Sequence, residues 1–203
     1  MSRLEVQSLR CGYHFPLLQI SFHLEEGEYL FLKGANGLGK TTFVRTLVGI
    51  LPPLQGEALF NGKPIHKHPS LSRDIFYLPE KIEVPEFLTP LQYVDLIREY
   101  YEVPPDRNRF HEGLALLNIA PLSNVPMRNL SMGQKRRAQL LAAYVLQRKL
   151  TVLDDPLIAI DGEGEEFLAR FIHHMNQHSM IVLTSRGDIA TLHATEMTDF
   201  CVG

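Results

Sequence analysis

Hydrophobic and polar positions alternate twice near the start of the chain. Leu4-x-Val6-x-x-Leu9 and Leu18-x-Ile20-x-Phe22-x-Leu24 carry the two-residue period of half-buried strands. Glu26-Gly27 signals a turn, and Tyr29–Leu32 behind it reads as a buried strand. The period then becomes helical over Phe43-Val44-x-x-Leu47-Val48, and Pro52-Pro53 stops that helix. Ala58-Leu59-Phe60 runs into Asn61-Gly62, a dipeptide strongly favoured in two-residue hairpins. Ile75–Leu78 is a further short strand. From about Pro85 the pattern is helical. Pro90 suits a helix start, and Leu91, Val94, Ile97 and Tyr101 line one face. Leu114, Leu117 and Ile119 mark a second short helix, and a third runs from Ser131 to about Gln147. Strand Leu150–Leu153, helix Glu163–Asn176 and strand Met180–Leu183 follow. Apolar strands alternating with helices at both ends predict an α/β fold with a parallel core. The whole chain, 1–203, reads as one domain. Its core spans 1–84 and 141–203, around a helical lobe at about 85–140.

The chemistry enters at the end of the Tyr29–Leu32 strand. Gly34-Ala-Asn-Gly-Leu-Gly-Lys40-Thr41-Thr42 fits G-x-x-x-x-G-K-[ST]. In this loop glycines let consecutive backbone N–H groups converge on phosphates. Lys40 reaches the β- and γ-phosphates, the Thr41 hydroxyl can ligate Mg²⁺, and the following helix aims its positive end at the same anion. Asn36, Gly37, Gly39, Lys40, Thr41 and Thr42 are therefore the candidate phosphate-binding residues for a nucleoside triphosphate. Thr151-Val-Leu-Asp154-Asp155 is a strand ending in two carboxylates. The first suits the water shell of Mg²⁺, and the second suits the attacking water. Between these two motifs lies Leu130-Ser131-Met132-Gly133-Gln134-Lys135-Arg136, a helix start capped by serine.

That last motif resembles the L-S-G-G-Q signature of ATP-binding cassette (ABC) ATPases, with Met132 in place of the first glycine. The resemblance covers essentially the whole chain from about Leu4. It implies a P-loop NTPase of the ABC ATPase fold, with a parallel-sheet core, an N-terminal antiparallel β subdomain and an inserted helical lobe. It implies further roles residue by residue. Tyr13 is similar to the aromatic that stacks on adenine, with Phe15 as an alternative. Tyr77-Leu-Pro-Glu80 stands at the Q-loop, where Glu80 replaces glutamine beside the metal. Ile158-Ala-Ile-Asp161 resembles the D-loop. Met180-Ile-Val-Leu-Thr-Ser-Arg186 matches the switch segment, with Arg186 in place of histidine. Ser131, Gly133 and Gln134 would meet the phosphate of ATP on another subunit. Glu80, Asp155 and Arg186 are the catalytic candidates; Thr41, Asp154 and Glu80 are the metal candidates.

Three positions where hydrolysis is managed depart from the family pattern. Asp155 stands where glutamate is usual and retracts the carboxylate by one methylene, roughly 1.5 Å. Displacement on the order of 1 Å can cost about a hundredfold in rate. Arg186 is an obligate cation and cannot accept a hydrogen bond as imidazole can. Glu80 adds a negative charge near the metal. The resemblance therefore implies an ATP-binding subunit of an ABC transporter, exporter-like in its compact build, using ATP and Mg²⁺, with turnover that is slow if these changes bite. It pairs either with itself or with a second ABC ATPase. The alternatives are a soluble ABC ATPase of the Fe–S assembly kind and a regulatory nucleotide-binding half of a heterodimer.

Composition adjusts this picture at its edges. A formal net charge of −3 argues against nucleic acid as a partner. Cys11 and Cys201, far apart, suggest reduced thiols rather than a disulfide framework. The start of the chain lacks the build of a signal peptide, and no apolar run reaches membrane-span length. A transporter role therefore requires a separate transmembrane permease subunit, and a place on the cytoplasmic face of the membrane through it. Phe87, Leu88, Leu91 and Tyr93, around a proline-punctuated turn, are the candidates for a docking groove.

Overall fold

The computed structural model describes residues 2–160, 164–189 and 192–196. Strands β1 (Arg3–Gly12), β2 (Pro16–Glu25) and β3 (Tyr29–Lys33) lead into helix α1 (Lys40–Leu47). Strands β4 (Gln55–Phe60), β5 (Lys63–Pro64) and β6 (Ile75–Leu78) follow, then helices α2 (Pro90–Tyr100), α3 (Arg107–Leu116) and α4 (Met132–Leu146). Strand β7 (Leu150–Asp154), helix α5 (Gly164–Met175) and strands β8 (Met180–Ser185) and β9 (Thr195–Glu196) complete the described elements. They form two sheets. The order β2-β1-β4-β5 is antiparallel, and β6-β7-β8-β3-β9 is parallel. This is the expected parallel core beside an N-terminal antiparallel layer. Asn61 and Gly62, at φ +50° and +75°, turn β4 into β5 as the two-residue hairpin requires.

The central strands are buried on both faces, which is why they read as continuous apolar runs. Leu32, Val152 and Val182 point toward α1 and the antiparallel sheet. Their neighbours Phe31, Leu153, Ile181 and Leu183 point into a second cluster with α2–α5. That cluster joins the sheet to the inserted helices without a break, and α4 runs through residue 140.

Several elements differ from expectation in detail. The second helix ends before Leu117 and Ile119, which are nevertheless buried. Helix α5 is described from Gly164 and ends at Met175, one residue before the expected Asn176; the expected start, Glu163, lies outside the described residues. The last apolar strand continues two residues further, through Thr184 and Ser185. Both are buried, and Thr184 is held there by hydrogen bonds at the site described below. Tyr93, a docking candidate in sequence, is core; it sits on the inner face of α2 with Val94. Among the described residues no helix is long and apolar enough to cross a membrane.

The parallel register aligns the strand ends. Asp154 lies opposite Thr184, and Lys33 opposite Ser185. The C-terminal ends of β3, β7 and β8 thus share one edge, the edge at which open α/β sheets bind ligands.

Candidate functional site

The loop Gly34–Gly39 leaves this edge and enters α1. The Gly34 N–H donates to Ser185 O at 3.1 Å, tying the loop to β8. Gly37 and Gly39 both have φ +86°, a left-handed conformation that side chains other than glycine adopt only under strain. A Cβ on Gly39 would also press on Leu17 at 3.2 Å. No side chain caps α1, so its first N–H groups remain for an anion at the loop. Lys40 Nζ donates to Gly34 O (2.6 Å) and Ala35 O (2.9 Å). Burial lowers the Lys40 pKa, and Asp155 is the main charge opposing that shift.

A cleft of about 280 Å³ opens over this loop. All six loop candidates, Asn36, Gly37, Gly39, Lys40, Thr41 and Thr42, line it. Glu80, Asp154, Asp155 and Arg186 line it from the other strand ends. Leu17 completes the wall, and sequence reasoning had no signal for it.

Asp154 ends β7, fully buried. Its Oδ1 accepts a 2.9 Å hydrogen bond from Thr184 Oγ1, while its Oδ2 is buried with no hydrogen-bond partner. An orphaned carboxylate oxygen in the same cleft as the Thr41 hydroxyl is what a hard cation or its water shell would satisfy. The donors present therefore fit Mg²⁺. Asp155 follows at φ +44°, a region that Asp tolerates better than most residues. Its N–H donates to Thr184 O (3.1 Å) and Oγ1 (3.2 Å). Burial raises its pKa, and Arg186 counters the rise. Arg186 forks between two carboxylates: Nε meets Asp155 Oδ2 at 3.1 Å, and Nη2 meets Glu80 Oε1 at 2.7 Å. Glu80, Asp155 and Arg186, the catalytic candidates that depart from the family pattern, are thus one ion-paired cluster.

Arg136 is the residue that sequence reasoning missed. It belongs to a basic turn that would ordinarily be solvated, yet it is 0% exposed. It donates to the carbonyls of Pro79 (2.6 Å), Asp154 (2.8 Å), Asp155 (2.9 Å) and Pro156 (3.2 Å), and to Gln139 Oε1 (3.3 Å). Burial brings its pKa down to about 10. One side chain from α4 thereby fixes the ends of β6 and β7, which carry Glu80 and both aspartates. The available signal was spacing: Arg136 shares a helical face with Gln139 and Leu140.

The signature residues sit elsewhere. Ser131 and Gln134 form a capping box, with Ser131 Oγ accepting from Gln134 N (3.2 Å) and Gln134 Oε1 from Ser131 N (2.9 Å). A Cβ on Gly133 would lie 2.5 Å from Ala159 O, so only glycine lets α4 begin against that loop. These three residues line a second cavity of about 270 Å³ with Ala159 and Ile160. They do not line the phosphate cleft. Tyr13 is 58% exposed and lies outside the lining of that cleft, as does Phe15. Asp161 lies outside the described residues.

Comparison with known proteins agrees with this geometry. The family described as ABC transporter matches residues 17–158. The cytochrome c biogenesis ATP-binding export protein CcmA of Pseudomonas aeruginosa is 35% identical over 173 residues, covering 84% of this chain and 85% of that protein. The protein of the same name from Escherichia coli K12 is 32% identical over 189 residues, covering 91% and 89%. An ABC transporter ATP-binding protein from Pyrococcus furiosus superposes with a TM-score of 0.91 at 30% identity, covering 98% of this chain and all of that one. A phosphate loop, a capped signature helix and two carboxylates in this order along the chain, with the matching family and relatives, place the chain in the ABC transporter family as an ATP-binding subunit and an ATPase.

Proposed function

We propose that this subunit hydrolyses Mg-ATP to drive export through a separate transmembrane permease, and that its catalytic sites are completed between two ATPase subunits. The observation that carries the composite site is the separation of the two cavities. The chain's own Ser131, Gly133 and Gln134 line one, and its phosphate loop lines the other. The signature therefore serves a phosphate bound by a partner, which is a second copy of this chain or a second ABC ATPase. Asp161, next to the signature cavity in sequence, would join that contact.

Within the cleft, the N–H groups at the start of α1 and the Lys40 ammonium would hold the β- and γ-phosphates. Thr41 and Asp154 Oδ2 would hold Mg²⁺, leaving Glu80 Oε2 for its water shell; the ion supplies charge neutralisation to the phosphate oxygens. Asp155 would orient the attacking water. Tyr13 would meet the adenine from the β1–β2 turn. The export reading is supported by the names of the CcmA relatives. Phe87, 73% exposed, with Leu96 and Tyr100 on the outer side of α2, would meet the permease on the cytoplasmic side of the membrane.

Asp155→Asn protein with Mg-ATP tests the composite site. On a sizing column it will elute as a dimer, and an added Ser131→Arg will return it to monomer. A dimer indifferent to Ser131→Arg would contradict the reading. An ATP-loaded monomer would assign the signature to a different ATPase.

A further inference from the structure

The cluster Glu80–Arg186–Asp155 is built unevenly. Arg186 follows β8 directly and lies half exposed over the phosphate cleft. Its Nη2 is taken by Glu80 at 2.7 Å and its Nε by Asp155 at 3.1 Å. The Asp155 backbone N–H is fixed by Thr184 O and Oγ1, and its carboxylate is only 11% exposed. Glu80 follows β6 and its side chain is 37% exposed; among the described residues it is hydrogen-bonded only to Arg186. The guanidinium therefore has one rigid anchor and one loose one. Both anchors line the same cleft as the phosphate loop.

We propose that Glu80 competes with the terminal phosphate of ATP for Arg186 and so sets the preference of the cleft for triphosphate over diphosphate. Glu80 is here a specificity-determining positioning residue acting through Arg186, and the inference rests on the ATP-binding reading of this cleft. The charges support the exchange. Glu80 and Arg186 together carry none, so their joint presence leaves the cleft's balance to Lys40, Asp154 and Asp155. Arginine recognises phosphate and carboxylate oxygens with the same planar fork, so one ligand can replace the other without rebuilding the site. ADP, lacking the terminal phosphate, leaves the pair closed. ATP opens it, at the cost of a half-exposed ion pair, an interaction of modest strength in water.

The test is a double-mutant cycle read by calorimetric titration with a non-hydrolysable ATP analogue and with ADP, both with Mg²⁺. Glu80→Gln frees Arg186, so affinity for the analogue should rise about tenfold, the effect of one new charge-assisted hydrogen bond to the terminal phosphate. ADP affinity should stay within about twofold. In an Arg186→Gln background there is no guanidinium to free, and adding Glu80→Gln should bring no further gain. A gain equal or larger without Arg186 overturns the proposal, because Glu80 would then act through its own charge. No gain in either background overturns it too. Lys40→Ala protein checks the underlying reading separately. If wild-type binding survives that change, the nucleotide reading of the cleft falls, whatever the cycle shows. Melting curves for each variant confirm that all titrated proteins are folded.

Discussion

Asp155 shows how much a single residue gives up for its position. It is nearly buried and left-handed in backbone, and the role proposed for it beside a triphosphate needs it as an anion. Burial raises its pKa, so the fold favours the protonated carboxyl. A group shifted in this direction costs stability above its folded pKa, and that cost disappears as pH falls below the ordinary 3.8. Asp155→Asn should therefore raise the melting temperature at pH 7 and lose that advantage below about pH 4. The same variant should lose most phosphate release, in the stability–activity exchange common at catalytic sites. A variant equally stable at both pH values would show that Arg186 fully offsets the desolvation. Asp155 and Asp154 were legible in sequence, because two carboxylates closing an apolar strand have few other uses. The fork of Arg186 was not, since it joins the ends of β6, β7 and β8, and no local spacing encodes which strand ends share an edge.

Among the elements, α4 does the most to organise the site. Ser131 and Gln134 were legible as the helix start, because the capping box is a local pattern. The interior of the helix was harder to read. Residues from Ala138 to Leu146 are buried all round, so no clean amphipathic stripe marks which side faces the sheet. Arg136 is the consequence: an ordinary surface charge by type, and a clamp on four strand-end carbonyls by position. Arg136→Ala should lower unfolding free energy by about 3 kcal/mol or more, since several buried carbonyls lose their donor at once. The urea midpoint would report it. A change below about 1 kcal/mol would mean that water replaces the guanidinium without strain. The hairpin at Asn61-Gly62 lies at the other extreme. Its turn chemistry is contained in two residues, and it folds as read.

At the scale of the whole molecule, one edge of the parallel sheet gathers the phosphate-loop motif, Glu80, both aspartates and Arg186 around one cleft, and the start of α4 lines a separate cavity. The order of motifs made this arrangement legible, because each motif is tied to a strand end or a helix start. Packing decided the rest. Tyr93 went to the core while Phe87 stayed at the surface, which a proline-punctuated apolar segment does not reveal by itself. The proposed function depends on ATP turnover in this cleft. Phosphate release by the purified chain with Mg-ATP, measured beside Lys40→Ala, is the most direct check. Turnover should disappear in Lys40→Ala and fall sharply in Asp155→Asn. Release that persists undiminished in Lys40→Ala would mean that this cleft is not where ATP is hydrolysed.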